Sequence, residues 1–570
     1  MKTDILVRLS YSNIFKQKCT IESLQKKVDT NDSLFVLSTL NKYEYKLREK
    51  DNTELQFILK EWLIEENQDI RNRIVAAYAK HSDKDIDGKQ LKPNLKTVVI
   101  VNRLSTLRVM EVLCASNIDK KKQGEIGISK SRENLLRLYL LVSDEITNRQ
   151  DKVFQKYFKK QPENLDEIYL HLFLGITQPF QHYYSVRSIQ PEVYKFLLFE
   201  KWFRNNSLYS ELLSDYVKSI GLDNWYQYFN DVFQLCNVAI ESNIISFKNY
   251  PVLKTLVEHL IIDTSNNPKW TEFVYLRKSP LVKLDEERYA VLDFEFLLNK
   301  FFSSLYHDLL FYSKEKGLNK FAQDYVKEFV EGTLLKNAFK TSFGNSYIQL
   351  SENEMKSKGS KNIENIGLPD YYFRNGNSVL LFECKNSFIS NANKIALNTE
   401  KLLRELQDKF YYTSDTKTQK RKSKGILQLL DFTISSINGK YQFFDKTKRP
   451  ENLNYYPILL VMDSTLTSLG FNQLLNYYFQ KELEESSIEK KYKVKPLTIM
   501  HIDDFFIHQT RLRKLPKLIL SYHRFLKSHK SFDSMVSFSD YLSTFKFPNS
   551  HKPRKENVDH IIQDSLLPPE

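Results

Sequence analysis

The sequence predicts a chain in two parts: a large, mostly α-helical N-terminal region, then an α/β domain with a mixed central sheet flanked by helices. Three observations point there. Up to about residue 285 apolar residues recur at spacings of three and four, as on one face of a helix. Beyond it, short apolar runs alternate with amphipathic stretches, the pattern of strands and helices in turn. Only 14 Gly and 16 Pro occur in 570 residues, too few for a turn-rich sandwich.

In the first part, Ile100, Leu104 and Leu107 mark one helical face, and Tyr194, Leu197, Leu198, Trp202 and Phe203 another. A basic break at 119–131 marks a sub-boundary. The expected division is a helical region of unassigned role over 1–285, a second domain over 286–530, and a partly disordered C-terminal extension over 531–570. In the second domain, 288–312 reads as a short extended piece running into one long apolar helix, and 321–339 as another helix. YIQL (347–350) is a strand, and 370–388 is a hairpin around an Asn-Gly turn. Helices follow at 392–410 and 426–437, a continuous apolar strand at 456–463, a helix at 471–483 and a buried strand within 495–505.

Composition narrows the classes. With 41% hydrophobic and 27% charged residues the chain can bury a core, which excludes a wholly disordered protein. No apolar run approaches 18 residues, so no membrane span is expected, and the first residues lack a secretory pattern. Cys19, Cys114, Cys236 and Cys384 are too dispersed for a zinc knuckle or a disulfide framework, and a cytoplasmic location is expected. A net charge of +14 is compatible with nucleic acid but dilute over this length. There is no glycine-rich phosphate loop and no HExxH, which argues against an ATP-driven motor and a zinc protease.

The chemistry concentrates in the hairpin. Its first arm opens with Pro369-Asp370 and its second ends with Glu383-Cys384-Lys385. Alternation puts Glu383 and Lys385 on one face and Phe382 and Cys384 on the other. Either two-residue loop, Asn375-Gly376 or Gly376-Asn377, brings Asp370 to the face of Glu383, whereas a three-residue loop separates them. Two carboxylates repel at close range, and a divalent cation with hard oxygen ligands removes the repulsion. An adjacent ammonium can then stabilise charge on a phosphate or orient an attacking water. The alternative is an edge strand whose Glu and Lys form its solvent face; against it, VLLFECKNS has the apolar flank of a central strand.

These residues resemble the PD-(D/E)xK nuclease superfamily: Pro369-Asp370, twelve intervening residues, then Glu383-Cys384-Lys385, with a helix on each side. The resemblance covers about residues 320–505. It implies a restriction-endonuclease-like domain in which Asp370, Glu383 and the Cys384 carbonyl bind Mg²⁺, with Mn²⁺ as substitute, and Lys385 is the catalytic lysine. It also implies an acid on the preceding helix, assigned to Glu331 with Glu328 in reserve, and a glutamine on a following helix, Gln428. The segment KTQKRKSK (417–424), with Lys420, Arg421, Lys422 and Lys424, has the composition of a loop that contacts phosphates without reading sequence. The expected function is a metal-dependent nuclease, most simply a DNA endonuclease of restriction or antiviral defence, with a homo-oligomer or a defence-system partner compatible. The rival is an inactive nuclease-fold protein that binds nucleic acid or acts as a scaffold subunit.

Overall fold

Apolar runs and their turns set the strands, and strand pairing then decides where the chain divides. The computed structural model describes residues 5–47, 57–82, 96–115, 126–158, 189–263, 273–358, 367–390, 399–414, 421–439, 450–529 except 487 and 490, and 535–548, with Asn393, Asp445 and Thr447. By internal contact it forms two units: residues 1–152 with 199–321, and residues 153–198 with 322–570.

The first unit is largely helical but carries strands that periodicity did not announce. β1 (Ile5–Arg8) runs parallel to β2 (Lys96–Val99). β3 (Ile244–Ser246) and β4 (Leu281–Lys283) flank β5 (Arg288–Val291), antiparallel on both sides. That sheet corrects the boundary expected at 285/286: β5 belongs with β3 and β4, and the division falls after Phe321. The single helix expected after β5 is two, Phe294–Leu298 and Ser303–Glu315, because the chain turns at 299–302. Helix α1 (Arg103–Cys114) begins at Asn102, whose side chain accepts from Ser105 N at 2.9 Å. Arg103, fully buried, pairs with Asp293 at 2.5 Å and Glu295 at 2.8 Å, so a cation that would otherwise be stranded in the core is neutralised. The sub-boundary expected at 119–131 falls partly outside the described residues; from Ile128 the chain is helical to Phe158.

The second unit is built on a five-stranded mixed sheet in the order β12-β11-β8-β7-β6. Helix α2 (Ile189–Arg204) contributes its first turns to this unit. A π-wound helix α3 (Tyr325–Leu335) and helix α4 (Lys336–Phe343) lead to β6 (Ile348–Ser351). β7 (Tyr371–Asn375) and β8 (Ser378–Lys385) form the hairpin; α5 (Thr399–Phe410), β9 (Tyr412–Ser414), β10 (Arg421–Ser423) and α6 (Ile426–Ile437) follow. β11 (Asn454–Val461), α7 (Phe471–Glu485), β12 (Thr498–His501), α8 (Asp503–His508) and α9 (Leu515–Ser528) complete it. β8, β11 and β12 are parallel, and β6 and β7 are antiparallel to their neighbours.

Each sheet face has its own cover. Tyr372, Val379, Leu381, Leu459 and Val461 pack with leucines of α5, α6 and α7. On the other face, Phe373 and Phe382 meet Phe339 and Phe343 of α4 and Phe505 of α8, with ring centroids 4.9–6.3 Å apart. Burying a sheet on both sides is what turns its strands into near-continuous apolar runs.

Two glycines are required by the backbone. Gly376 has φ +56° while Asn377 stays at negative φ, the pattern of a II′ hairpin turn. At Gly425 (φ +46°), a Cβ would lie 2.6 Å from the Phe410 carbonyl oxygen, so only glycine lets the chain pass from β10 into α6. Within the extension expected over 531–570, the described stretch 535–548 packs through Phe538 and Leu542, both fully buried, and Ser539 Oγ donates to Asp504 at 2.7 Å. Residues 549–570 lie outside the described ones. No helix among the described residues is long and apolar enough to cross a membrane.

Candidate active site

Register decides whether the hairpin's polar groups meet. Tyr371 pairs with Phe382 and Asn375 with Ser378, so the loop is the two residues Gly376-Asn377. Continuing that register by one residue sets Asp370 directly opposite Glu383. Tyr372 and Leu381 share one core while Phe373 and Phe382 share the other, so residues 370, 383 and 385 fall on the α5–α7 side.

The contacts fit that placement. Asp370 Oδ2 accepts the backbone N–H of Cys384 at 2.6 Å, clamping the start of one arm to the end of the other. Lys385 Nζ donates to Glu383 Oε1 at 2.7 Å, and the Glu383 carboxylate is 2% exposed against 22% for the lysine. Glu383 Oε2 is buried without a hydrogen-bond partner, a costly condition for a carboxylate. Burial, then the charge of Asp370, pushes the Glu383 carboxyl up to about 8, more than Lys385 beside it can reverse. Burial pushes Asp370 up to about 6 against the pull of the Cys384 N–H and Lys385. The Lys385 ammonium is held above its ordinary value: burial works against the charge, and Glu383 outweighs it.

Glu331 is half-buried on the π-wound helix, and Glu328 is exposed. Burial and then Asp370 raise the Glu331 carboxyl to about 7. The Tyr371 hydroxyl donates to the Glu331 carbonyl at 2.7 Å, tying that helix to the hairpin. The helix is wound wider than an α-helix here, and Thr333 Oγ1 donates to the Glu328 carbonyl five residues back. Gln428 turns its amide to the Leu368 carbonyl at 2.6 Å and fills the space beside Gly367, so it braces the segment leading to Asp370. Cys384 meets the acids through its N–H, and burial drives its thiol far above the ordinary range.

Sequence reasoning missed Glu352. Its N–H donates to the Asp370 carbonyl at 2.9 Å, and its charge raises Glu331, Asp370 and Glu383 together. The available signal was its position at the start of the helix that follows β6. Asp503 and Asp504, ambiguous in sequence, are structural. Asp504 accepts His501 N at 3.1 Å, and Asp503 pairs with buried Lys195 at 3.0 Å. Of the basic segment, Lys420 lies outside the described residues, as do the side chains of Arg421 and Lys422, whose backbone forms β10. Lys424 Nζ donates to the Asp408 carbonyl at 3.2 Å.

Among the described residues no three His, Cys, Asp or Glu side chains converge into a complete metal-binding group. The Asp370–Glu383 pair nevertheless fits a hard divalent ion in chemistry: oxygen donors only, an unsatisfied buried oxygen, and three carboxyls raised by burial and mutual charge. No protein-family model, curated protein or solved structure matches the chain.

Proposed function

We propose that the second unit is a metal-dependent phosphodiester hydrolase acting on nucleic acid, with DNA the first substrate to test and restriction or antiviral defence the setting. The observation that carries it is an Asp370–Glu383–Lys385 constellation at the end of a central strand, with Glu383 buried and one of its oxygens unsatisfied. A carboxyl kept 2% exposed with one oxygen unsatisfied costs the fold stability, the condition expected where a group is held for a use.

Asp370 and Glu383 would hold Mg²⁺ or Mn²⁺, with Glu331 as a further acid. When bound, the ion neutralises charge at the scissile phosphate and lowers the pKa of an attacking water. The Cys384 N–H fixes Asp370 Oδ2 and leaves its other oxygen for that role. Lys385, held by Glu383 at 2.7 Å, places a positive charge beside the carboxylates, where it stabilises negative charge developing on the phosphate. Gln428 keeps the Leu368–Asp370 segment in register, and the Tyr371–Glu331 bond keeps the helix acid near it.

Incubation of the full chain with supercoiled plasmid and Mg²⁺ is the test. Nicking or linearisation that is abolished in Lys385→Ala and by EDTA supports the reading. Plasmid binding without cleavage in either Mg²⁺ or Mn²⁺ favours the rival, an inactive nucleic-acid-binding scaffold.

A further inference from the structure

Helices α5 and α7 and the first residues of β9 enclose a cavity of about 350 Å³, on the same side of the sheet as the carboxylates. Its floor includes the buried Leu406 and Leu474, and its walls are phenol rings. Tyr411 stands 5.4 Å from Tyr412 and 6.0 Å from Tyr478, centroid to centroid. Two of the rings are held by other lining residues: Gln407 Nε2 donates to the Tyr412 hydroxyl at 2.7 Å, and the Tyr411 hydroxyl donates to Glu482. Exposed Arg404 and Lys481 also line it, opposed by Glu482 and Glu485, so the lining carries no net charge. β9 leaves the cavity as one arm of a ribbon whose other arm reads Arg421-Lys422-Ser423.

We propose that this cavity receives one unstacked base of a single-stranded stretch of the nucleic acid, stacked among Tyr411, Tyr412 and Tyr478. The inference rests on the nucleic-acid reading above. Three features select this occupant. A volume near 350 Å³ lies at the small end of ligand sites, about the size for one nucleoside. The charge-balanced lining suits a neutral base better than a free polyphosphate. The strand paired with β9 contributes Arg421 and Lys422 to the sequence next to the cavity, residue types suited to a continuing sugar-phosphate backbone. Ring stacking tolerates any base, so the site grips a strand without reading its sequence.

The test uses the full chain in EDTA, with fluorescence anisotropy of a labelled fifteen-residue oligothymidylate and of the same backbone made of abasic residues. Wild type binds the base-bearing strand about tenfold more tightly, the effect expected of one stacked base. Tyr478→Ala, which removes a ring, and Leu403→Trp, which fills the cavity, both erase that preference and leave abasic-strand affinity unchanged; Tyr478→Phe keeps it. Equal binding of the two strands by wild type overturns the proposal, as does equal weakening of both strands in the variants. Competition by thymidine monophosphate at the same concentration as the strand also overturns it, by assigning the cavity to a free nucleotide. A base preference in a chain that cuts nothing with Mg²⁺ leaves this proposal standing and removes the hydrolase reading.

Discussion

Glu383→Gln separates stability from activity, because the charge proposed to bind metal burdens the metal-free fold. The Glu383 carboxyl rises from an ordinary 4.5 to about 8, so near pH 7 the unfolded chain holds it ionised while the folded chain holds it mostly protonated. The sign follows from linkage. A raised carboxyl stabilises the fold fully below about pH 4.5, and that contribution is lost as pH climbs towards 8. Between 4.5 and 7 the burden grows to about 3 kcal/mol, at about 1.4 kcal/mol per pH unit. Glutamine keeps the shape and an oxygen for Lys385 but cannot ionise; weakening of the Lys385 contact offsets part of the gain, leaving about 1–2 kcal/mol. For a unit of this size that is about 2–3 °C in Tm. Thermal denaturation in EDTA at pH 5 and pH 8 should show Glu383→Gln near wild type at the lower pH and more stable at the higher. Added Mg²⁺ should raise the wild-type Tm and leave the variant unmoved, while plasmid cleavage is lost. A variant no more stable than wild type at pH 8, or one stabilised equally by Mg²⁺, refutes the reasoning.

Lys385→Ala and Asp370→Asn should each abolish cleavage while leaving plasmid affinity within about twofold, read by gel shift in EDTA; cleavage that persists in both places the chemistry elsewhere. Neutralising Lys420, Arg421, Lys422 and Lys424 should weaken binding and flatten the dependence of log K on log salt by up to about 4, with cleavage recovered at high enzyme concentration. His523 is held down to about 3 by burial, then by Lys527, and its Nε2 contacts Thr498 Oγ1 at 2.9 Å. The unfolded chain therefore takes up a proton near 6.5 that the folded chain refuses, and stability falls by about 1.4 kcal/mol per pH unit from pH 6.5 downward. His523→Asn should remove that slope from urea titrations at pH 4–6. A fragment starting at residue 286 lacks Lys195, the cation 3.0 Å from buried Asp503, so it should melt below the full chain; Asp503→Asn in the fragment should recover part of the loss, as followed by circular dichroism.

Much of the second unit could be read from residue pattern, because strand and helix periods are local properties. The runs at 347–350, 456–463 and 495–505 form β6, β11 and β12, and the stretches at 426–437 and 471–483 are the helices that cover the motif face. Alternation along β8 put Glu383 and Lys385 together before any coordinates, since period two admits no other arrangement. Turn chemistry left two even loops open, and only strand pairing selected Gly376-Asn377 and set Asp370 opposite Glu383. The remainder depended on contacts distant in sequence. β5 joins β3 from more than forty residues away, which moved the division from 285 to 321, and no local pattern records such a partner. Glu352, the bracing by Gln428 and the Lys195–Asp503 pair share that origin. Their residue types are common on any helix surface, and only packing determines which of them are buried beside another charge. The sequence by itself determined which residues could do chemistry; the tertiary structure decided which of them meet, because desolvation and Coulomb energy depend on distance in space rather than along the chain.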